Sequence, residues 1–263
     1  LGAPSAFFSG ISTDMLGEIL AETLTASKVD TRHLARSNRP TTVAFVKLVD
    51  GQATYAFYDE NTAGLMLTEA DLPDLPAEVS TLFFGGISLV NDPAASTYAA
   101  LQARESATRV TMIDPNIRPG MIKDRRKHMA RLTRMIAMAD IVKVSDEDVA
   151  WMTAKDDAAA AAKRWLKLGA KLVVVTRGAK GVEAFTAQGF MTRAAQKVKV
   201  ADTVGAGDTF TAGLLTALRA MKLLDKKTLA ALKAEDLALA LGFAAKAASI
   251  TCSRPGANPP WAR

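Results

Sequence analysis

A single cysteine, Cys252, stands among 263 residues, so no internal disulfide can form and a zinc centre built on cysteines is excluded. A chain so poor in cysteine suits a reducing compartment, and the cytoplasm is the expected location. No apolar run approaches the ~20 residues that a membrane-spanning helix needs. Glycine and proline, 17 and 10 residues, are too few for a collagen-like or low-complexity chain. No internal repeat and no linker is visible. The first residue is Leu1, and no charged segment leads into a long apolar one, so a signal peptide is not expected. An upstream piece is expected to be missing.

What is present has a globular balance, 49% hydrophobic and 23% charged. At about 150 residues per domain, the length predicts one large domain, or one with a small appendage. Lys and Arg outnumber Asp and Glu by 33 to 27, which raises the question of nucleic acid. The densest basic stretch is Lys123–Arg134, but Leu132, Met135, Ile136 and Met138 recur there at helical spacing. It reads as a surface helix with a solvated basic side. With no interleaved aromatics, neither a nucleic-acid nor a membrane partner is expected.

Strand-like and helix-like runs alternate along the chain. Leu1-Gly2-Ala3 reads as a helix tail, and Ser5–Ser9 as a short strand. Asp14–Ser27 is predicted to be a helix, and two strands flank Asp50-Gly51 as a hairpin over Thr41–Tyr58 with Tyr55, Phe57 and Tyr58 on one apolar surface. Strands are predicted at TLFFGG, RVTMID, DIVKVS and KLVVVT. Helices are predicted at about 93–105, 157–168, 207–221 and 237–250, with a hairpin-like region over 181–193 and a short strand at Val198–Ala201. Buried strands separated by helices of 10–15 residues predict an α/β fold around a mostly parallel sheet. The 41–58 hairpin stands outside that series as a flap of the same single domain.

The most informative segment is Asp202-Thr203-Val204-Gly205-Ala206-Gly207-Asp208-Thr209-Phe210. Two glycines and an alanine let backbone N–H groups converge at a helix start, a site for phosphate oxygens. Asp208, at the end of the loop, is placed to take a proton from an attacking hydroxyl. The competing reading is that Asp208 simply caps the helix.

DTVGAGDTF resembles the C-terminal signature of the ribokinase-like (PfkB) carbohydrate kinases. Gly10–Gly17 resembles the second half of that family's N-terminal signature, and Thr176–Gly181 its nucleotide loop. DPNIRP at Asp114–Pro119, KVSDED at Lys143–Asp148 and the closing ITCSRPGANPPW most resemble bacterial fructokinases, with 2-keto-3-deoxygluconate kinase as runner-up. The resemblance covers essentially the whole chain.

It implies a ribokinase-like α/β fold and an ATP-dependent transfer of a phosphoryl group to a sugar's primary hydroxyl, from fructose to fructose 6-phosphate. Asp208 would be the general base, and the N–H groups of Gly205, Ala206 and Gly207 the anion hole. Thr176, Gly178, Gly181 and Arg118 would approach ATP; Arg118, Gly85 and Gly86 would lie near the sugar. A K⁺ loop would use the Asp202 side chain with carbonyls of Val204, Thr251, Arg254 and Gly256, and Asp148 would help place Mg²⁺ through water. The 41–58 flap would be a β lid, and pairing of two lids would give a homodimer. In isolation, Arg118 reads as a solvated loop charge, Thr176–Gly181 as a strand-to-turn segment, and Arg254-Pro255-Gly256 as a turn.

The sequence departs from the family at Ser145 and Asp148, where Asn and Glu are usual, and at Pro260, where a hydroxyl residue is found in relatives. The family's first strand and following Gly-Gly segment have no counterpart, a loss of about one βα unit, on the order of 30–45 residues. Ribokinase activity, or nucleotide and sugar binding without turnover, are the remaining readings.

Overall fold

The Asp14 carboxylate accepts the Gly17 N–H at 2.8 Å, satisfying one of the donors that a helix start leaves without a partner. In the computed structural model, which describes residues 1–49, 52–154 and 157–261, that cap joins strand β1 (Gly10–Ser12) to helix α1 (Met15–Ala26). The strand predicted at Ser5–Ser9 is thus displaced; within it Ala6 makes an isolated bridge to Asp30. Leu1–Ala3 carries no helix. Strand β2 (Ala35–Ser37), too short and polar to be foreseen, pairs in parallel with β1.

Strands β3 (Val43–Val49) and β4 (Gln52–Tyr58) form the predicted antiparallel hairpin. The Asp50-Gly51 turn and the Tyr55 side chain lie outside the described residues. Register puts Phe45 and Tyr58 on one face, their rings edge to face with centroids 5.6 Å apart, and Phe57 on the other. The single aromatic surface expected there is therefore corrected, because adjacent residues of a strand face opposite ways. At the foot of the hairpin, Thr41 donates its N–H and hydroxyl to Asp14 at 2.8 and 2.6 Å. The Thr41 hydroxyl above all, with the Gly17 N–H, holds the Asp14 carboxyl well below the usual carboxylate range.

The remaining elements are β5 (Thr81–Gly85), α2 (Ala94–Glu105), β6 (Val110–Asp114), α3 (Arg125–Met138), β7 (Ile141–Ser145), α4 (Asp146–Thr153), α5 (Ala158–Leu168), β8 (Leu172–Thr176), β9 (Val182–Thr186), β10 (Gly189–Arg193), α6 (Ala206–Ala220), α7 (Lys226–Ala230) and α8 (Ala234–Cys252). The chain divides into two compact units. One comprises Leu1–Ala3, Pro76–Gly86 and Gln102–Arg263; the other comprises Pro4–Leu75 and Ile87–Leu101, and contains the hairpin.

The first unit is built on a six-stranded sheet ordered β10-β9-β8-β7-β6-β5. Its members β5 to β8 run parallel, and β9 and β10 are antiparallel additions. Val110, Met112, Ile141, Leu172 and Val174 form one face of the core with Phe210, Leu214 and Leu218 of α6 and Leu237, Leu241 and Ala244 of α8. Helices α3 and α5 pack on β6 and on β8 and β9. As the periodicity predicted, α3 buries Leu132, Met135 and Ile136, but Arg131 lies on the buried stripe too and corrects the picture of a wholly solvated basic side.

Two short helices escaped the sequence reading. Helix α4 begins in a capping box between Ser145 and Asp148, and α7 has five residues, fewer than periodicity can resolve. The strand predicted at Val198–Ala201 is absent: the Ala201 and Asp202 N–H groups donate to the Cys252 carbonyl instead of to a strand.

Candidate active site

In an open parallel sheet, ligands collect at the carboxyl ends of the strands. Here those ends carry Gly85 of β5, Asp114 of β6, Ser145 of β7 and Thr176 of β8, with Gly85 opposite Asp114 and Ser145 opposite Thr176 in the register. Each was singled out in, or lies within, a segment flagged from sequence.

The glycine-rich segment forms the start of α6. Gly205 is its N-cap, in the left-handed region at φ +75°, and no side chain caps the helix. A side chain at Gly205 would be strained there and would place its Cβ 3.1 Å from that of Ala257. Asp208 sits in the first turn, exposed, and is not the cap. The bland reading of Asp208 therefore has no hydrogen bond to rest on. The Ala206 N–H donates to the Thr203 carbonyl at 3.2 Å, which directs it into the turn, whereas the helix geometry leaves the other first-turn N–H groups to an external acceptor.

Two further loops close around this turn. The Asp202 carboxylate accepts the Val204 N–H with one oxygen and the Gly256 N–H with the other, each at 3.0 Å. Those backbone donors, Val204 first, lower its pKa. The buried Thr251 hydroxyl meets that of Thr209 at 3.0 Å, and Arg254 reaches the carbonyls of Asn258 and Pro259. Asp202, Val204, Thr251, Arg254 and Gly256, spread over 55 positions in sequence, are thereby gathered at the α6 start and α8 end.

Asp148 is buried, and each of its oxygens accepts an N–H: one that of Ile117 at 2.8 Å and the other that of Ser145 at 2.9 Å. Its observed work is to hold the 115–118 loop to the end of β7. Arg118, on that loop, is exposed and donates to its own loop carbonyls at Ile117 and Asn116, 3.0 and 3.4 Å away. In the 176–181 turn the Arg177 N–H donates to the Gly181 carbonyl at 2.8 Å; Gly178 and Gly181 both have positive φ. Gly86, also at positive φ, follows Gly85 directly.

Sequence reasoning passed over two residues inside its own motifs. Lys143, in β7, and Asp114, at the end of β6, form a buried ion pair with Nζ 2.7 Å from Oδ2. The signal was available: a lysine within the apolar strand IVKVS has to meet an anion when buried. Alternation puts both on the α6 face, with Ile141 and Met112. A Cβ on Gly207 would lie 3.3 Å from the Lys143 ammonium. Burial drives the Asp114 pKa up, Lys143 opposes it, and the charges of Asp148 and Asp208 push the same way as burial.

An uncapped helix start, a carboxylate in its first turn and a buried lysine beneath it, all at the carboxyl edge of a parallel sheet, define a phosphoryl-transfer enzyme of the α/β class. The chain belongs to the pfkB family of carbohydrate kinases, whose pattern matches residues 1–263. It is 56% identical over 237 residues to the fructokinase of Rhizobium leguminosarum bv. trifolii, covering 90% of this chain and 73% of that one. The fold is similar to that of fructokinase with bound ATP from Xylella fastidiosa, at TM-score 0.89 and 27% identity over 98% of this chain and 81% of the other. Fructokinase from Vibrio cholerae O395, with fructose, ADP and calcium ion bound, gives TM-score 0.83 and 26% identity over 98% of this chain and 82% of that one. The chain is thus an ATP-dependent sugar kinase with a ribokinase-like fold.

Proposed function

We propose that the sugar is fructose and the product fructose 6-phosphate, with Asp208 as general base. The observation that carries this reading is Asp208 in the uncapped first turn of α6, supported by the 56% identity to a fructokinase. The sugar's primary hydroxyl attacks the γ-phosphorus of ATP in line, its proton passes to the Asp208 carboxylate, and the bond to the β-phosphate oxygen breaks to release ADP. N–H groups at the α6 start, at Gly205 and Gly207 above all, hold the equatorial oxygens; this positioning and charge stabilisation supply most of the acceleration. The 176–181 turn takes the nucleotide, and Arg118 with Gly85 and Gly86 lies at the phosphate or acceptor end, where a guanidinium suits phosphate oxygens.

We include two ions in the proposal. The Asp202 side chain and the carbonyls of Val204, Thr251, Arg254 and Gly256, on two adjoining loops, would supply the oxygen donors for K⁺, and the ion would stiffen the α6 start. Asp148, whose two oxygens each accept an N–H group, would help hold Mg²⁺ through water, and the ion would supply positive charge against the negative charge that develops in transfer. The hairpin offers exposed Phe45 and Tyr58 to a second copy of the chain, giving a homodimer.

The test is ADP release by the whole protein with ATP, Mg²⁺ and K⁺ against fructose, 2-keto-3-deoxygluconate and ribose. Fructose is expected to turn over fastest. Asp208→Asn should lower kcat by ~10²–10⁴ with nucleotide binding kept. Preference for another sugar moves the substrate, and nucleotide binding without any turnover replaces the kinase reading with a binding protein.

A further inference from the structure

A lysine within a buried parallel strand is an expensive choice for stability, because apolar residues of the same volume often serve a core as well or better. Lys143 is 4% exposed, its strand neighbours Val142 and Val144 are fully buried, and its partner Asp114 is 2% exposed. Stability therefore does not explain the pair, and its location does. Among the described residues the Lys143 ammonium bonds Asp114 Oδ2 at 2.7 Å, and an ammonium has three protons to give. Asp114 Oδ1 is buried with no hydrogen-bond partner among the described residues.

The ammonium also stands beside the first turn of α6, at 3.3 Å from where a Gly207 Cβ would be. The second glycine of GAGD thus has a tertiary reason: it lets this cation approach the backbone. A helix start repels a cation, so the arrangement is balanced only by anions. The charged groups acting on Asp114 from the neighbouring elements are Lys143 of β7, Asp148 of α4 and Asp208 of α6, one cation against three carboxylates including Asp114 itself. Besides Asp114, an incoming triphosphate faces the charges of Asp148 and Asp208, and Lys143 is a buried counter-charge beside the α6 start.

We propose that Lys143, held by Asp114, is a positioning residue for phosphoryl transfer. From beneath, it sets the Gly207 backbone and supplies fixed positive charge under the anion hole as negative charge shifts onto the transferring group. The proposal rests on the kinase reading above. Because the charge is buried in a low-dielectric site and preorganised, it acts on the transition state more than on bound ATP or sugar.

The experiment compares wild type, Lys143→Met, Asp114→Asn and the double variant, each by thermal melting and by steady-state ADP release with saturating Mg²⁺. Lys143→Met is expected to lose kcat about 10- to 100-fold, with KM for ATP and for sugar each within about threefold of wild type. The double variant leaves no charge buried alone, so its melting temperature should recover relative to Lys143→Met while kcat stays low. A purely structural pair predicts the reverse: restored stability brings restored kcat, and that result overturns the proposal. Wild-type kcat in Lys143→Met overturns it as well. Should Lys143→Met fail to fold, the double variant decides the matter alone, and failure of both to fold assigns the pair to folding and overturns the proposal. Absence of turnover in wild type removes the kinase reading itself, which distinguishes the two failures.

Discussion

Asp208 and Gly207 are neighbours in sequence with different kinds of evidence behind them. The role proposed for Asp208 rests on local structure, an acid in the first turn of a helix that lacks a capping side chain. The need for glycine at 207 is tertiary, because the atom a side chain would meet is the Lys143 ammonium. Gly207→Ala should leave stability within about 1 kcal/mol of wild type, since alanine favours helix by about that amount and offsets the crowding. It should lower kcat about tenfold or more by displacing the ammonium and turning the N–H. Urea denaturation and ADP release on the same preparation check both halves; equal losses of stability and rate would mean the helix start had simply come apart.

At the scale of elements, the candidate site is where α6 begins and α8 ends. Asp202 ties these two ends by accepting N–H groups from Val204 and Gly256, and the Thr209–Thr251 hydroxyl contact repeats the tie inside the core. If K⁺ binds those loops, replacing Na⁺ with K⁺ at matched ionic strength should raise kcat, and Asp202→Ala should abolish the difference. Equal rates in the two salts would remove the ion from the proposal. At the opposite end of the strands, Asp140 joins three elements: it accepts the Thr111 N–H at 2.9 Å, pairs with Lys226 at 2.7 Å, and its carbonyl takes the Lys171 and Leu172 N–H groups. The Asp202–Gly256 junction was anticipated only through the family resemblance and the Asp140–Lys226 one not at all, because a carboxylate's partner across 54 or 86 positions leaves no periodic trace. The elements themselves were legible: β8 is an apolar run up to Thr176, β6 and β7 are mostly apolar around Thr111 and Lys143, and α5 has an Asp157 cap and a Gly169 stop.

For the whole molecule, acid is the informative perturbant. Asp14 and Asp202 have folded-state pKa values below the ordinary 3.8. The unfolded chain then binds more protons in the window below about 3.8, so their stabilisation is complete above it and is lost as pH falls. Asp114 runs the other way: its raised pKa means the folded state holds the proton longer, so its share of stability declines as pH rises from 3.8 towards its folded value. The difference in melting temperature between wild type and Asp14→Asn should be constant above about pH 5 and vanish in strong acid. A difference that is the same at every pH would show that the carboxylate charge is not what Thr41 and Gly17 recognise. Light scattering should give twice the chain mass, and Tyr58→Asp on the hairpin should return the mass to that of one chain. A wild-type protein at one chain mass removes the dimer.

The sequence by itself determined what depends on near neighbours. Alternation and apolar runs set the strands, Asp14, Asp124 and Asp157 cap their helices, and DTVGAGDTF contains the whole turn that carries the N–H groups and carboxylate of the proposed phosphate site. The tertiary structure decided what depends on which strands lie side by side. The parallel pairing of β6 with β7, under α6, brings Asp114 to Lys143, and Lys143 to Gly207. A buried charge must find its partner in space, and the order of strands, which short-range pattern does not encode, is what supplies it.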